Sequence, residues 1–408
     1  MRFVYLDYNA TTPLDERVLE AMMPYLREQY GNPSSIYRFA QQARKAVEEA
    51  REKVASLLNA SEREIIFTGS GTEANNFAIK GVAFANRDRG NHIITSQIEH
   101  HAVLNVCKYL EERHGFEVTY VPVDSYGIVD VDAVRKAIKD ETILISIMYA
   151  NNETGVIQPI EEIAQLARER GIYFHTDAIQ VAGKMKIDVK ELGVDLLSIS
   201  AHKFYGPKGV GALFVRRGVR IDNFIHGGHQ EMGKRAGTEN VAGIVGLAEA
   251  FSLAHEKMEE EWEREKTLRD KLERGIIERI PDVIVNGHPE KRLANTLNIV
   301  VKYVEGEAML LDMDAAGICA SSGSACTSGS LEPSHVLTAM GIPHELAHGS
   351  LRFSLGKFTT EEDIDYVLEV LPRVVERLRE ISPYGAGKEE LMRASEDAHL
   401  KAYKAHRE

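Results

Sequence analysis

Hydrophobic and polar positions alternate in a regular way between about residues 15 and 250, where short apolar runs are separated by amphipathic stretches. The runs lie at 64–68, 92–96, 117–123, 142–148, 172–176, 195–200 and 210–215. Between two of them, Ile160, Ile163, Ala164 and Ala167 share one face of a helical pattern. This strand–helix alternation predicts an α/β domain with a mostly parallel, seven-stranded sheet.

The pattern changes after residue 255. Residues 256–280 are rich in charge and poor in apolar positions, which predicts a solvated helix that bridges two domains. Further short apolar runs follow, then a helix at about 361–380, for which Thr359 and Glu362 have the spacing of a capping box. The predicted units are a large domain at 15–255, a smaller α+β domain formed by 1–14 and 256–384, and a C-terminal tail at 385–408.

Composition narrows the class of protein. The chain has 408 residues, 44% of them hydrophobic, and no apolar run is long enough for a membrane span. The N-terminal segment does not look like a signal or transit peptide. A net charge of -13 without a basic cluster argues against nucleic-acid binding. The 3 cysteines argue against a disulfide framework, so we expect a cytoplasmic protein.

Polar side chains follow several predicted strands, at the edge of a parallel sheet where ligands bind. GSGTEANN at 69–76 can offer backbone N–H groups and a hydroxyl to a phosphate, although such a turn alone is weak support. Asp177 follows a buried strand, and Lys203 follows another. A phosphate anchor, an acid for the pyridine nitrogen and a lysine for the aldehyde are what pyridoxal phosphate requires.

Residues 321–330, SSGSACTSGS, place Cys326 among small residues that cannot bury a thiol. Loops of this kind commonly carry functional side chains. An incidental thiol on a surface loop is the alternative. Cys107 and Cys319 lie in more apolar surroundings, and both are predicted to be small buried residues.

The chain resembles cysteine desulfurases of the NifS/IscS type, which are fold-type I enzymes dependent on pyridoxal phosphate. The resemblance runs from Tyr5 to about Pro383. Its motifs are YLDYNATTP (5–13), GNPSS (31–35), SGTEANN (70–76), EHHAVLN (99–105), NNETG (151–155), HTDAIQ (175–180), SAHKFYGPKG (200–209), HGGHQE (226–231), RAGTEN (235–240), SSGSACTSGSLEPSHVL (321–337) and LRFSLG (351–356). The chain departs from the family at Tyr37, commonly histidine, and at His229, usually glycine.

The resemblance implies roles for individual residues. Lys203 would bond the aldehyde of the cofactor, Cys326 would be the nucleophile, and His100 would stack on the ring and act in acid–base chemistry. The other implied cofactor contacts are Gly71, Thr72, Asn152, Asp177, Gln180, Ser200, His202 and, from the second subunit of a homodimer, Thr238. Arg352 would bind the substrate carboxylate, with Asn9, Ala10 and Asn152 beside it. No metal site is expected.

The implied reaction converts L-cysteine to L-alanine and leaves a persulfide on Cys326. The implied sulfur acceptor is an iron–sulfur scaffold or another acceptor protein. The resemblance leaves open a selenocysteine lyase or another pyridoxal phosphate enzyme of the same fold, such as an aminotransferase, although an aminotransferase needs no loop thiol. A non-catalytic relative would be expected to lack Lys203 or Cys326, and both are present.

Overall fold

The computed structural model describes residues 2–322 and 332–381. The predicted α/β fold class is confirmed: a seven-stranded sheet has the order β2-β8-β7-β6-β5-β3-β4. The strands are β1 (Val4–Tyr5), β2 (Ile65–Thr68), β3 (His92–Ser96), β4 (Glu117–Val121), β5 (Thr142–Ser146), β6 (Tyr173–Asp177), β7 (Leu196–Ser200), β8 (Gly211–Val215), β9 (Val283–Asn286), β10 (Thr296–Val301), β11 (Ile318–Cys319) and β12 (Ser350–Ser354).

The seven-stranded sheet is parallel except at one side, where β8 runs antiparallel to both β2 and β7. Strands β2, β3, β5, β7 and β8 are buried along their whole length, and β6 is buried after its first residue. Strands covered on both faces have continuous apolar runs, which is why the sequence pattern located them. Strand β6 includes Asp177 as its last residue, one position beyond the predicted end.

Helices cover and extend this sheet, and three of them lie close to the stretches predicted to be helical, around 160–167, 256–280 and 361–380. The helices are α1 (Glu16–Arg27), α2 (Arg38–Leu57), α3 (Gly71–Ala85), α4 (His101–His114), α5 (Val131–Ala137), α6 (Ile160–Glu169), α7 (Val189–Leu192), α8 (Val241–Glu256), α9 (Met258–Arg279), α10 (Gly306–Ala315), α11 (His335–Ala339), α12 (His344–Ala347) and α13 (Glu361–Ile381). Within the described part of the chain, no helix is both long and apolar enough to cross a membrane.

A second, antiparallel sheet has the order β12-β10-β9. It packs in an apolar cluster with α9, α10 and α13, to which Leu272, Met309 and Leu371 contribute. The short strand β1 pairs with β11, so the N-terminal segment lies beside residues from the last third of the chain. The domain boundaries themselves remain a prediction.

Two local expectations were wrong. Helix α9 is charged but not uniformly solvated, because Glu265 and Arg269 are buried. The capping box of α13 is formed one residue later than predicted. Thr360 N donates to Asp363 at 3.0 Å, and Asp363 N donates to Thr360 Oγ1 at 3.2 Å. Thr359 Oγ1 instead accepts the N–H of Gly356, so it is occupied in the turn before the helix.

Candidate active site

A cleft of about 370 Å³ lies where the strand ends of the large sheet meet the N-terminal segment and β12. Most of the site residues predicted from the sequence line it. These are Asn9, Ala10, Gly71, Thr72, His100, Asn152, Asp177, Gln180, Ser200, His202, Lys203 and Arg352. The fold therefore brings together residues that come from opposite ends of the chain.

Lys203 lies in the cleft because a single 3-10 turn, Ala201–Lys203, follows β7 directly. Its Nζ donates to the backbone oxygen of Asn9 at 2.5 Å and to that of Ala10 at 2.8 Å. Gln180 Nε2 also donates to Asn9 O, at 3.0 Å. The N-terminal segment thus supplies the acceptors that hold the ammonium group in place.

Asp177 ends β6 with its carboxylate buried; the residue is 6% exposed. Asn75 Nδ2 donates to Oδ2 at 2.7 Å, and Ile179 N donates to Oδ1 at 3.0 Å. Burial raises the pKa of the Asp177 carboxyl, and these two hydrogen bonds together with the charge of Lys203 oppose that rise. Such a carboxylate favours a cationic partner in the cleft.

Asn75 was not identified from the sequence as a site residue. It is fully buried on α3, and within the described residues its Oδ1 has no hydrogen-bond partner. Its place in GSGTEANN, one helical turn after Gly71, is the only signal that could have pointed to it. Asn75 thus orients the Asp177 carboxylate from α3.

The first turn of α3 closes one end of the cleft, with Ser70 as its N-cap. The first N–H groups of a helix have no partner within the helix and attract anions. Gly71 allows the turn to approach the sheet, because a Cβ there would lie 2.3 Å from Ile179 Cδ1 and 3.1 Å from Ser200 Cβ. The Thr72 side chain is exposed beside it.

Two histidines flank Lys203. Burial, aided by the charge of Lys203, lowers the pKa of His100 to about 4. Burial likewise lowers the pKa of His202 to about 4. His100 Nδ1 accepts the N–H of Ala102 at 3.0 Å, so the neutral ring carries its proton on Nε2. In this state Nε2–H can donate a hydrogen bond, and the neutral ring is not an acid.

Arg352 reaches the cleft from β12 and is 5% exposed. Its Nη2 pairs with Asp7 Oδ1 at 2.7 Å, and Nη1 donates to Asn152 O at 3.1 Å. Its Nε lacks a partner among the described residues. Asp7 was not expected as a site residue, although it lies within the YLDYNATTP motif. The Asp7 carboxylate thus prealigns the Arg352 guanidinium. A bound substrate carboxylate would compete with Asp7 for that guanidinium.

We expect Arg352→Ala to raise the KM for L-cysteine about tenfold to more than a hundredfold, because a charge-assisted contact contributes about 1.5–3 kcal/mol. Initial rates over a range of L-cysteine concentrations measure this effect. Arg373→Ala is the matched control, since Arg373 is an exposed arginine on α13. An unchanged KM in Arg352→Ala would place the substrate carboxylate elsewhere.

Three described residues that the sequence analysis named do not line this cleft. Thr238 is exposed and does not line it. Tyr37 and His229, the two departures from the family, are exposed as well and do not line it. Cys326 lies outside the described residues, so its role stays a prediction.

The other two cysteines differ from each other. Cys107 is buried, as predicted, and burial raises the pKa of its thiol. Cys319 is only partly buried, which corrects the prediction of a buried residue. It ends β11, at the edge of a two-stranded sheet, where one side remains open. Burial nevertheless raises the pKa of the Cys319 thiol.

The cleft fits pyridoxal phosphate in three respects. The N-terminus of α3 suits the phosphate, the buried Asp177 suits a protonated pyridine nitrogen, and Lys203 suits the aldehyde. The described residues contain no group of three or more metal-binding side chains.

Comparison with known proteins shows the same similarity over nearly the whole chain. The profile of the aminotransferase class-V family matches residues 4–367. The cysteine desulfurase IscS of Dictyoglomus turgidum is 59% identical over 383 residues, covering 94% of this chain and 97% of that protein. The cysteine desulfurase IscS of Methanosarcina thermophila is 59% identical over 380 residues, covering 93% and 94%. A solved NifS-like protein superposes with a TM-score of 0.87 at 42% identity, covering 92% of this chain and 100% of that one.

Proposed function

The chain belongs to the aminotransferase class-V family and is a cysteine desulfurase, and from this premise we propose that it moves sulfur from L-cysteine to Cys326 with pyridoxal phosphate bound at Lys203. The family resemblance and the activity predicted from the motifs are confirmed by these relatives. The observation that best supports the proposed cofactor site is the convergence of Lys203, Asp177 and the first turn of α3 on one cleft.

The substrate would bind with its carboxylate at Arg352. Asn152 O and Asp7 hold that guanidinium in a fixed direction, so little side-chain entropy is lost on binding. Asn9 and Ala10 border the same space and present backbone oxygens to it. Because Arg352 and Lys203 line the same cleft, L-cysteine bound in this way would present its amino group and Cα to Lys203.

When bound, pyridoxal phosphate supplies an electron sink for the charge left at Cα after proton removal. Asp177, held by Asn75 and Ile179, keeps a negative charge where the ring nitrogen would be protonated. Lys203 Nζ would take the Cα proton of the substrate. His100, with its proton on Nε2, would donate a hydrogen bond to the substrate or to the cofactor ring.

Cys326 would act as a thiolate, because the thiol is a poor nucleophile. Its sulfur attacks the sulfur of L-cysteine, an S–S bond forms, and the C–S bond of the substrate breaks. The electron pair of that bond stays with the carbon fragment, which takes up protons and leaves as L-alanine. L-cysteine and the Cys326 thiol thus give L-alanine and the Cys326 persulfide, and no external oxidant is needed.

The persulfide sulfur would then pass to an acceptor protein, and an iron–sulfur scaffold fits the IscS relatives best. In a homodimer, Thr238 of one subunit would reach the phosphate site of the other. Thr238 is exposed and does not line the cleft of its own subunit, as such a contact requires. A cytoplasmic location remains a prediction.

The proposal is tested by incubating the purified protein, loaded with pyridoxal phosphate, with L-cysteine. We expect one L-alanine per sulfur released, and a gain of one sulfur atom on the peptide that contains residue 326. The peptides that contain Cys107 and Cys319 serve as internal controls. Added sulfur on either control peptide, or no alanine, would contradict the proposal. A larger kcat/KM for L-selenocysteine than for L-cysteine would favour a selenocysteine lyase.

A further inference from the structure

Lys203 borders two spaces, the cleft and a second cavity next to it. The second cavity is lined by residues from the turn after β6 and from α9, among them Lys184, Trp262 and Glu265. None of these three was expected to have a role. A lysine and a glutamate thus lie beside the proposed site of proton transfer.

Hydrogen bonds connect Lys184 to Lys203 through Gln180 and Asn9. Lys184 Nζ donates to Gln180 Oε1 at 3.2 Å and to Gln180 O at 3.1 Å. Gln180 Nε2 donates to Asn9 O at 3.0 Å. The same oxygen accepts Lys203 Nζ at 2.5 Å. The series therefore runs from the second cavity to the predicted catalytic lysine.

The contact with Lys184 decides which way the Gln180 amide is turned. An ammonium group has three donors and no acceptor, so it can face only the oxygen of the amide. The amide nitrogen must then face Asn9 O and the cleft, which Gln180 lines. One of its two N–H groups goes to Asn9 O, and the second is available to a ligand in the cleft that Gln180 lines.

The charge of Lys184 has a counter-charge in Glu265 of α9. Glu265 is 8% exposed, and burial raises the pKa of its carboxyl. The positive charge of Lys184 opposes this rise. Glu265 in turn opposes the lowering of the Lys184 pKa by burial, while Arg352 adds to that lowering. Other cations surround this pair: Arg264 acts on Glu265, and the second cavity is also lined by Arg17, Lys203, Lys257 and Lys357.

We propose that Lys184 is a positioning residue that turns the Gln180 amide so that a hydrogen-bond donor, not an acceptor, faces the oxygen substituent of the cofactor ring. This inference rests on the proposed function. Glu265 supplies a counter-charge from α9, the helix that packs against the β12-β10-β9 sheet. Through Lys184, this helix is therefore linked to residues of the cleft. Lys184 itself touches neither substrate nor cofactor.

The test compares Lys184→Met, Lys184→Arg and the control Lys186→Met, because Lys186 is an exposed lysine two residues along. Two quantities are measured on each protein: the Kd for pyridoxal phosphate and the pH at which the visible absorption of the lysine-bound cofactor changes. In Lys184→Met we expect Kd to rise about tenfold, as loss of one charge-assisted hydrogen bond does. The pH of the transition should rise, because a nearby cation and an aligned donor are both lost.

Lys184→Arg should return both quantities toward the parent values, and Lys186→Met should leave them unchanged. An unshifted pH transition in a Lys184→Met protein that melts like the parent overturns the inference. A higher Kd alone would not rescue it, because a merely structural role of Lys184 could also raise Kd. If Lys184→Met does not fold, Lys184→Leu, which also lacks a donor, replaces it with the same expectation. A parent protein that shows no visible absorption with pyridoxal phosphate overturns the proposed function, and this inference with it.

Discussion

Replacing Lys203 by alanine is expected to abolish covalent retention of pyridoxal phosphate and to lower alanine formation by at least about 10²- to 10⁴-fold, the range for loss of a general base. Lys203 follows β7 directly, and its ammonium is held by two backbone oxygens of the N-terminal segment. No other lysine lines the cofactor cleft among the described residues. The variant would therefore lose both the covalent bond and the group that moves the Cα proton.

Borohydride reduction followed by peptide mass measurement identifies the lysine that holds the cofactor. Lys208→Ala is the matched control, since Lys208 is exposed and lies in the same glycine–proline loop. Thermal melting of both variants shows whether the fold is retained. Cofactor found on a different lysine of Lys203→Ala, at parent levels, would overturn the assignment.

The second large effect is expected for Cys326→Ser, which should keep the cofactor and bind L-cysteine but form alanine only at background level. The residues that line the cleft are unchanged in this variant. A serine hydroxyl is scarcely ionised near neutral pH and cannot carry a persulfide. The change should thus separate substrate binding from sulfur transfer.

Cys319→Ser is the matched control, because Cys319 is the other cysteine with some exposure. Burial raises the pKa of its thiol, as it does for Cys107, so neither is set up to supply a thiolate. The measurements are the change of the cofactor spectrum on adding L-cysteine and the yield of alanine. Alanine formed by Cys326→Ser at a rate near the parent's would mean that another group attacks the sulfur.

Most strands of the large sheet could be predicted because five of the seven are buried along their whole length and so have continuous apolar runs. The site could be located because ligands bind at the strand ends of such sheets, and GSGTEANN, Asp177 and Lys203 all lie there. Motif likeness then added roles for individual residues, which composition and periodicity could not supply.

Other parts of the site depend on contacts between residues far apart in the chain. Asp7 and Arg352 pair across 345 positions, and Asn75 reaches Asp177 across 102. The local sequence does not indicate such a pair, because each member alone is a polar residue of a type that is common on surfaces and helices. The Asp7 pairing shows that the guanidinium is already engaged by a carboxylate, which the sequence did not indicate.

Helix α9 shows the same limit for charge. Its sequence predicts a solvated helix, yet Glu265 and Arg269 are buried. Arg269 Nη1 donates to Leu293 O at 3.0 Å, and Nη2 pairs with Asp270 at 2.6 Å, so partners from the fold satisfy the group. A charged residue can be buried only with such partners, and a periodicity argument cannot see them.

The sequence by itself determined the fold class, the strand positions, the order of the chemical groups at the strand ends and the family. These follow from local apolar patterns and from motifs contained in short segments. Only the tertiary structure decided the Asp7–Arg352 pair, the support of Asp177 by Asn75, and the path from Lys184 to Lys203. The physical reason is that hydrogen bonds and ion pairs act over a few ångströms in space, and chain folding alone determines which distant residues come within that range.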